Sequence, residues 1–289
     1  GNAYQALGYT AEAIESHQLS LKLARELQDR RGQAASLCTL GNAYFSQGNY
    51  SQANAYYSQS LQICQTIQDR RCESQALTGL GLIDDAQGNY EQAVEYHQQA
   101  LKIAQEIGDR GSEGTILGHL GNAYLGLENH AEAIHCHQKS LEIAWETNDR
   151  NQERLALADL GSTAFCVGQY EQALDFYQRS LDLSQELQNQ RGEATMLGNL
   201  GTTLLQLEQY PEAQSLLLEA LEKSSTIHFL ANKAMVLRSL AELHQKLGGP
   251  EQAMKYCNEA LAIATELNIP LLRDCQELAA QLATSTFSE

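Results

Sequence analysis

The sequence predicts an all-α fold, a right-handed superhelical solenoid of antiparallel helix-turn-helix units. Three observations predict it. The 289-residue chain repeats itself with a period of forty. Within each period, apolar residues recur at three- and four-residue spacing, which marks one face of a helix. The chain has three prolines and is rich in Ala, Leu, Gln and Glu, so few helix breakers interrupt it. A period of this length marks stacked units, each of which buries its apolar face only against its neighbours.

Four columns carry the period. Leu40, Leu80, Leu120, Leu160, Leu200 and Leu240 share one phase, followed by Gly41, Gly81, Gly121, Gly161 and Gly201, with Gly1 before and Ala241 after. Ala13, Ala53, Ala93, Ala133, Ala173, Ala213 and Ala253 form a third column. The fourth runs from Leu21 and Leu61 to Leu261. In chain order, residues 1–30 read as a partial repeat and 31–70, 71–110, 111–150, 151–190, 191–230 and 231–270 as full repeats. Residues 271–289 read as a capping helix, with Leu271, Leu272, Cys275, Leu278 and Leu282 on one side, and a frayed tail.

The unit 31–70 shows how each hairpin forms. Leu37, Leu40, Ala43 and Tyr44 make one stripe. Gly48-Asn49 ends that helix, Gly being suited to a left-handed C-cap. Tyr50 to Gln68 resumes, with Ala53, Tyr57, Leu61, Cys64 and Ile67 on one face. Asp69 is placed to cap the next helix. Connections this short make neighbouring helices antiparallel. Gly41 and Ala53 belong where paired helices come closest, since a larger side chain would overpack the contact by about 1–3 kcal/mol.

The run Leu40-Gly41-Asn42-Ala43-Tyr44, then Gly48-Asn49-Tyr50, Ala53, Tyr57 and Ser60, resembles the tetratricopeptide repeat. The usual unit has about thirty-four residues. Here the second helix is longer, and Gln65 stands where a closing proline is usual. This long variant is similar to the repeats of the LGN/Pins family of polarity adaptors and to arrays in large bacterial signalling proteins. The resemblance spans residues 1–270 and implies a protein-binding solenoid whose concave face is lined by first helices. Carrying the family's groove positions over gives three columns. Asn2, Asn42 and Asn122 belong to the first, with Leu82, Ser162, Thr202 and Glu242; Thr39, Gly79, His119, Asp159, Asn199 and Ser239 form the second. Gln5, Phe45, Asp85, Leu125, Phe165, Leu205 and Gln245 form the third. The resulting peptide-binding set is Asn42, Phe45, Asp85, His119, Asn122, Leu125, Asp159, Phe165, Asn199 and Leu205. Phe45, Leu125, Phe165 and Leu205 would form an apolar stripe, with room left by Gly79, Gly118 and Gly198. The asparagines can both donate to and accept from a peptide backbone.

The net charge of −17 repels a phosphate backbone or an anionic membrane, so neither nucleic acid nor membrane is an expected partner. LGN-type grooves hold acidic targets with basic residues. These columns carry no arginine, and only Arg238 and Lys246 lie near. The expected partner is therefore a protein or peptide that is neutral, basic or apolar rather than acidic. The seven cysteines form no CxxC pair, so no disulfide framework or zinc knuckle is expected, and a reducing cytoplasmic setting fits. His17, His97 and His137 share the phase of Tyr57 and Tyr177 and read as core. The arginines at 30, 31, 70, 71, 110, 150 and 191 lie at the turns beside Asp29, Asp69, Asp109 and Asp149. They read as inter-unit ion pairs, or alternatively as a basic rim for a partner. Asp84 replaces the tyrosine of its column and either finds a partner such as Arg71 or leaves the array locally weak; the expectation is the latter, a flexible point over 71–110. No phosphate loop, nucleophile elbow or zinc-helix motif occurs. The expectation is a monomeric, non-catalytic interaction scaffold with no metal and no cofactor. The alternatives are a sensor segment of a larger signalling protein or enzyme, and self-assembly through the open ends.

Overall fold

The computed structural model describes residues 10–267 and 269–285. The groove places given to Asn2 and Gln5, the column place of Gly1 and the tail beyond 285 lie outside these. Among the described residues the chain is helical throughout: α1 Thr10–Glu26, α2 Arg30–Ser46, α3 Tyr50–Ile67, α4 Arg70–Gln87, α5 Tyr90–Glu106, α6 Arg110–Gly126, α7 His130–Thr147, α8 Arg150–Cys166, α9 Tyr170–Glu186, α10 Gln190–Gln206, α11 Tyr210–Thr226, α12 Leu230–Lys246, α13 Pro250–Leu267 and α14 Leu271–Ser285. No helix there is long and apolar enough to cross a membrane. Two compact units divide the chain, one ending at Gln152 and the other beginning at Glu153.

Local chemistry sets the helix ends. Asp29, Asp69 and Asp109 accept from the backbone N–H of Gly32, Cys72 and Ser112, three residues on. Each cap supplies an acceptor to an N–H that the helix itself leaves unbonded. Gly48 closes α2 at φ 73°, a left-handed conformation that costs glycine nothing.

In the first unit the glycine column makes room for one large side chain per hairpin. Tyr57 is buried between Gly41 and Gly79, where an added Cβ would lie 2.6 and 2.5 Å from its ring. Gly81 and Gly121 make the same room for His97 and His137, both fully buried. In the second unit Gly161 faces Tyr177 and Gly201 faces Leu217. The close approach expected at Gly41, and the core placement of His97 and His137, follow from this one contact. Buried serines add a second rung. Ser60 and Ser140 donate to the carbonyls of Ala34 and Gly114 at 2.8 Å, and in the second unit Ser180 donates to that of Arg154 at 2.9 Å.

The turn arginines of the first unit are ion-paired between hairpins. Arg31 meets Asp69 at 2.9 Å and Arg71 meets Asp109 at 3.0 Å. Arg70 bridges Glu73 and Glu106, and Arg110 bridges Glu113 and Glu146. These four already hold carboxylates, as the reading of inter-unit ion pairs expects, which corrects only the alternative of a free basic rim. In the second unit Lys223 pairs with Glu193, Lys233 with Glu259, and the Arg191 guanidinium lies 5.2 Å from the Phe229 ring centroid.

Two further expectations are corrected. Asp84 accepts from the Asn89 amide at 3.3 Å, while Arg71 is held by Asp109. Cys64 and Cys72 are joined by a disulfide between α3 and α4, with Cα atoms 5.6 Å apart. Their eight-residue spacing gave no such sign, because the contact is made by hairpin packing rather than by local sequence.

Candidate protein-interaction groove

First helices of successive hairpins line a cleft in each unit. In the first unit Ala35, Thr39 and Asn42 of α2, Gln75, Thr78, Gly79 and Leu82 of α4, and Ser112 and Thr115 of α6 surround about 580 Å³, with Asp149 at the edge. The lining is mostly hydroxyl and amide. Asn42 is exposed, and its Oδ1 accepts from the Tyr57 hydroxyl at 2.6 Å. Its amide nitrogen and the second lone pair of Oδ1 are left to serve a ligand. Burial holds the Tyr57 hydroxyl protonated far above the usual tyrosine range.

The cleft of the second unit is smaller, about 210 Å³, and more apolar. Phe165 of α8, Met235 and Val236 of α12 and Leu271 of α14 line it, together with Asn199, Thr202, Arg238 and Ser239. Met235 is 48% exposed there. Arg238 pairs with Glu242 at 2.7 Å, so its charge is already offset within α12.

Asn42, Phe165 and Asn199 of the expected set therefore line clefts. Phe45 and Phe165 are half-buried, and each ring leans on the tyrosine that opens the next helix, Tyr50 at 5.6 Å and Tyr170 at 5.4 Å. Asn122 is exposed and Leu125 half-buried; neither lines the first cleft. Asp159 is half-buried; burial lowers the pKa of Arg154, and the Asp159 charge partly opposes that. Leu205 is a correction: it is buried in the core with Leu200, Leu217 and Leu243 and presents nothing to a ligand. Phe165, at the same phase, is half-buried and lines the second cleft, so the burial of Leu205 comes from the leucines packed against it and not from its phase along the helix.

Asp85 and His119 come together through a residue read as core. His97 Nε2 lies 2.9 Å from Asp85 Oδ2, and the His97 and His119 rings stack with centroids 5.7 Å apart. Internal comparison explains the pair. In the α2–α3 and α8–α9 hairpins the buried tyrosine hydroxyl bonds to Asn42 or Ser162. In the α4–α5 hairpin that position is Leu82, which cannot accept, and Asp85 does so instead. Burial, helped by the neighbouring His97 and opposed by Asp85, lowers His119 to about 4. Burial likewise lowers His137 to about 4.

The column Ala35, Gln75, Thr115 and Met235 escaped the sequence pattern, as did Thr78, while Arg238, expected near the groove, lines the second cleft. The signal was present: positions 35, 39 and 42 are spaced by four and three, which is one helix face.

The tetratricopeptide repeat model matches residues 1–66, 55–106, 72–146, 112–186, 152–225 and 192–266. The chain belongs to the tetratricopeptide repeat family. Membership implies a protein–protein interaction scaffold. No curated protein matches the chain. Among solved structures it is similar to a signal transduction ATPase with numerous domains that carries a tetratricopeptide repeat sensor, from Pyrococcus horikoshii, with a TM-score of 0.70 at 18% identity. That match covers 94% of this chain but 41% of the other. A Rap protein complexed with competence and sporulation factor is similar with a TM-score of 0.67 at 12% identity, covering 91% of this chain and 79% of that one. BtubC from P. vanneervenii gives a TM-score of 0.65 at 19% identity, covering 76% and 92%. At these identities the likeness is one of fold.

Proposed function

We propose that this repeat array is a non-catalytic scaffold that holds a peptide segment of a partner protein against the faces of its first helices. The supporting observation is the pair of solvent-open clefts, both lined by those helices. An extended or helical peptide needs backbone partners and a few side-chain sites. Hydroxyls and amides supply the former in the first unit. Phe165, Met235 and Val236 supply an apolar site in the second. Asp149 at one cleft and the compensated Arg238 at the other favour a neutral, basic or apolar segment over an acidic one. We place the chain in the cytoplasm, as a monomer, with neither nucleic acid nor membrane as partner.

A second reading is the sensor segment of a larger signalling protein. It is favoured by the match of 94% of this chain to 41% of an ATPase described as carrying a tetratricopeptide repeat sensor.

Pull-down from lysate of the source cells tests the first reading. The wild-type array is compared with an Asn199→Ala, Met235→Ala variant and with an outer-face Glu219→Ala control, all checked by circular dichroism. A specific partner should be retained about tenfold less by the cleft variant, the equivalent of roughly 1.4 kcal/mol, and undiminished by the control. Equal retention by all three would sink the reading.

A further inference from the structure

Within each unit the repeat geometry brings one pair of positions together at junctions between hairpins. One lies in the last turns of a second helix; the other lies eight residues on, in the first turn of the next helix. At Gly32 an added Cβ would stand 3.4 Å from the Ala24 Cβ, and at Gly192 it would stand 3.2 Å from the Ser184 Cβ. Asn232 Nδ2 donates to Ser224 Oγ at 2.8 Å. Only at 64 and 72 are both residues of this pair cysteines. The Cβ atoms of a disulfide lie about 3.5–4.5 Å apart, so the junction presents two thiols near bonding distance after small relaxation. The Cα separation of 5.6 Å at Cys64–Cys72 agrees. The family pattern does not ask for this bond, since the other junctions use Ala, Ser, Gly, Gln and Asn at these places.

We propose that Cys64 and Cys72 form a redox-active dithiol, a modification site that exchanges with low-molecular-weight disulfides of the glutathione type and fastens α3 to α4. Cys72 is the partly exposed member, while Cys64 is fully buried. Cys72 sits in the first turn of α4, directly after Arg70 and Arg71. Ser60 Oγ, whose proton goes to the Ala34 carbonyl, lies 3.7 Å from the Cys64 sulfur and 3.8 Å from that of Cys72, so it can accept from either thiol. The Cys72 thiolate attacks oxidised glutathione, forming a mixed disulfide and releasing one glutathione thiolate. The Cys64 thiolate then attacks the Cys72 sulfur and expels the second. Two protein thiols lose two protons and two electrons; one glutathione disulfide becomes two thiols. Excess reduced glutathione runs the sequence backwards, as a transient bond in a reducing compartment requires. Ser74, two residues after Cys72, lines the first cleft, so the bond fastens a cleft wall. An effect on ligand binding would rest on the proposed function; the exchange itself does not.

The test equilibrates the whole chain in glutathione buffers from reducing to oxidising, blocks thiols with iodoacetamide, and maps the peptides by mass spectrometry. Cys257 and Cys275 serve as the internal reference, being neighbouring, buried and free. The expected result is a Cys64–Cys72 peptide at the oxidising end with Cys257 and Cys275 recovered as thiols. Oxidation should raise the Tm by about 5 °C, because the bond restricts the unfolded chain. That rise should vanish in Cys64→Ser and in Cys72→Ser. Both variants place at the junction the residue that Ser184 or Ser112 supplies at the same position elsewhere, so the fold is retained. Recovery of both residues as thiols, an unresolved glutathione adduct on Cys72, or a bond from Cys38 to either would each overturn the proposal.

Discussion

The two units build the same hairpin and present different clefts. In the unit ending at Gln152 the first helices offer Thr39, Asn42, Gln75, Thr78 and Thr115, and the edges of the hairpins are joined by arginine–carboxylate pairs. In the unit beginning at Glu153 they offer Phe165, Met235 and Val236 beside Asn199, and Lys223, Lys233 and Arg191 make the edge contacts. The core contact hardly changes between them. Tyr57, His97 and His137 in one unit, and Tyr177 and Leu217 in the other, each fill the space opposite a glycine. One packing rule therefore constrains the inside of these five hairpins, while the cleft face is free to differ.

Core truncation tests the shared rule most severely. Tyr57→Ala should cost about 3–5 kcal/mol in urea unfolding, because Gly41 and Gly79 leave nothing to refill the space. Leu217→Ala should cost about 2–5 kcal/mol. A cost below about 1 kcal/mol at either would mean that the column is not the core contact it is taken to be.

Acid separates the units next. His137 is held neutral by burial to about 4, against an ordinary value near 6.5. The unfolded chain binds this proton between those values and the folded chain does not, so stability falls as pH drops from about 6.5 toward 4. His119 adds to the same window. Tyr57 and Tyr177 show that the position accepts tyrosine, and Asn122 holds the place that Asn42 holds beside Tyr57. The variant His137→Tyr should therefore fold and lose part of the acid sensitivity. Unchanged Tm against pH in this variant would remove His137 from the account.

Smaller effects should be alike in the two units. Ser140→Ala and Ser180→Ala each remove one buried donor to a helix carbonyl and should each cost about 1 kcal/mol. Smallest is the edge: Arg31→Ala should change stability by at most about 1 kcal/mol, since its pair with Asp69 is exposed. A larger loss would show the ion pairs acting as a network.

The fold was legible because the forty-residue period repeats the same small and large residues at the same phase, and packing permits little else there. The caps at Asp29, Asp69 and Asp109 were legible for the same local reason. The site was legible only in part. Asn42 and Asn199 follow from family position, but the burial of Leu205 does not, since Phe165 at the same phase lines a cleft and only the packing of Leu200, Leu217 and Leu243 around Leu205 sets it apart. Asp85 and His119 were placed on the groove, yet their link through His97 depends on Leu82 failing to accept a hydrogen bond, a tertiary fact. The Cys64–Cys72 contact was illegible for a similar reason: it exists only once consecutive hairpins stack.

The most direct test of the cleft as the working surface uses the three methionines as reporters. Met196 is buried, Met254 packs between α13 and the helix that follows, and Met235 stands in the second cleft. A peptide selected from a random library against the array would be titrated into protein carrying ¹³C-labelled methionine methyl groups. The account predicts that the Met235 methyl signal moves in step with binding, while those of Met196 and Met254 stay near their free positions. Saturable binding with the Met235 signal unmoved, for peptides that compete with the natural partner, would contradict it.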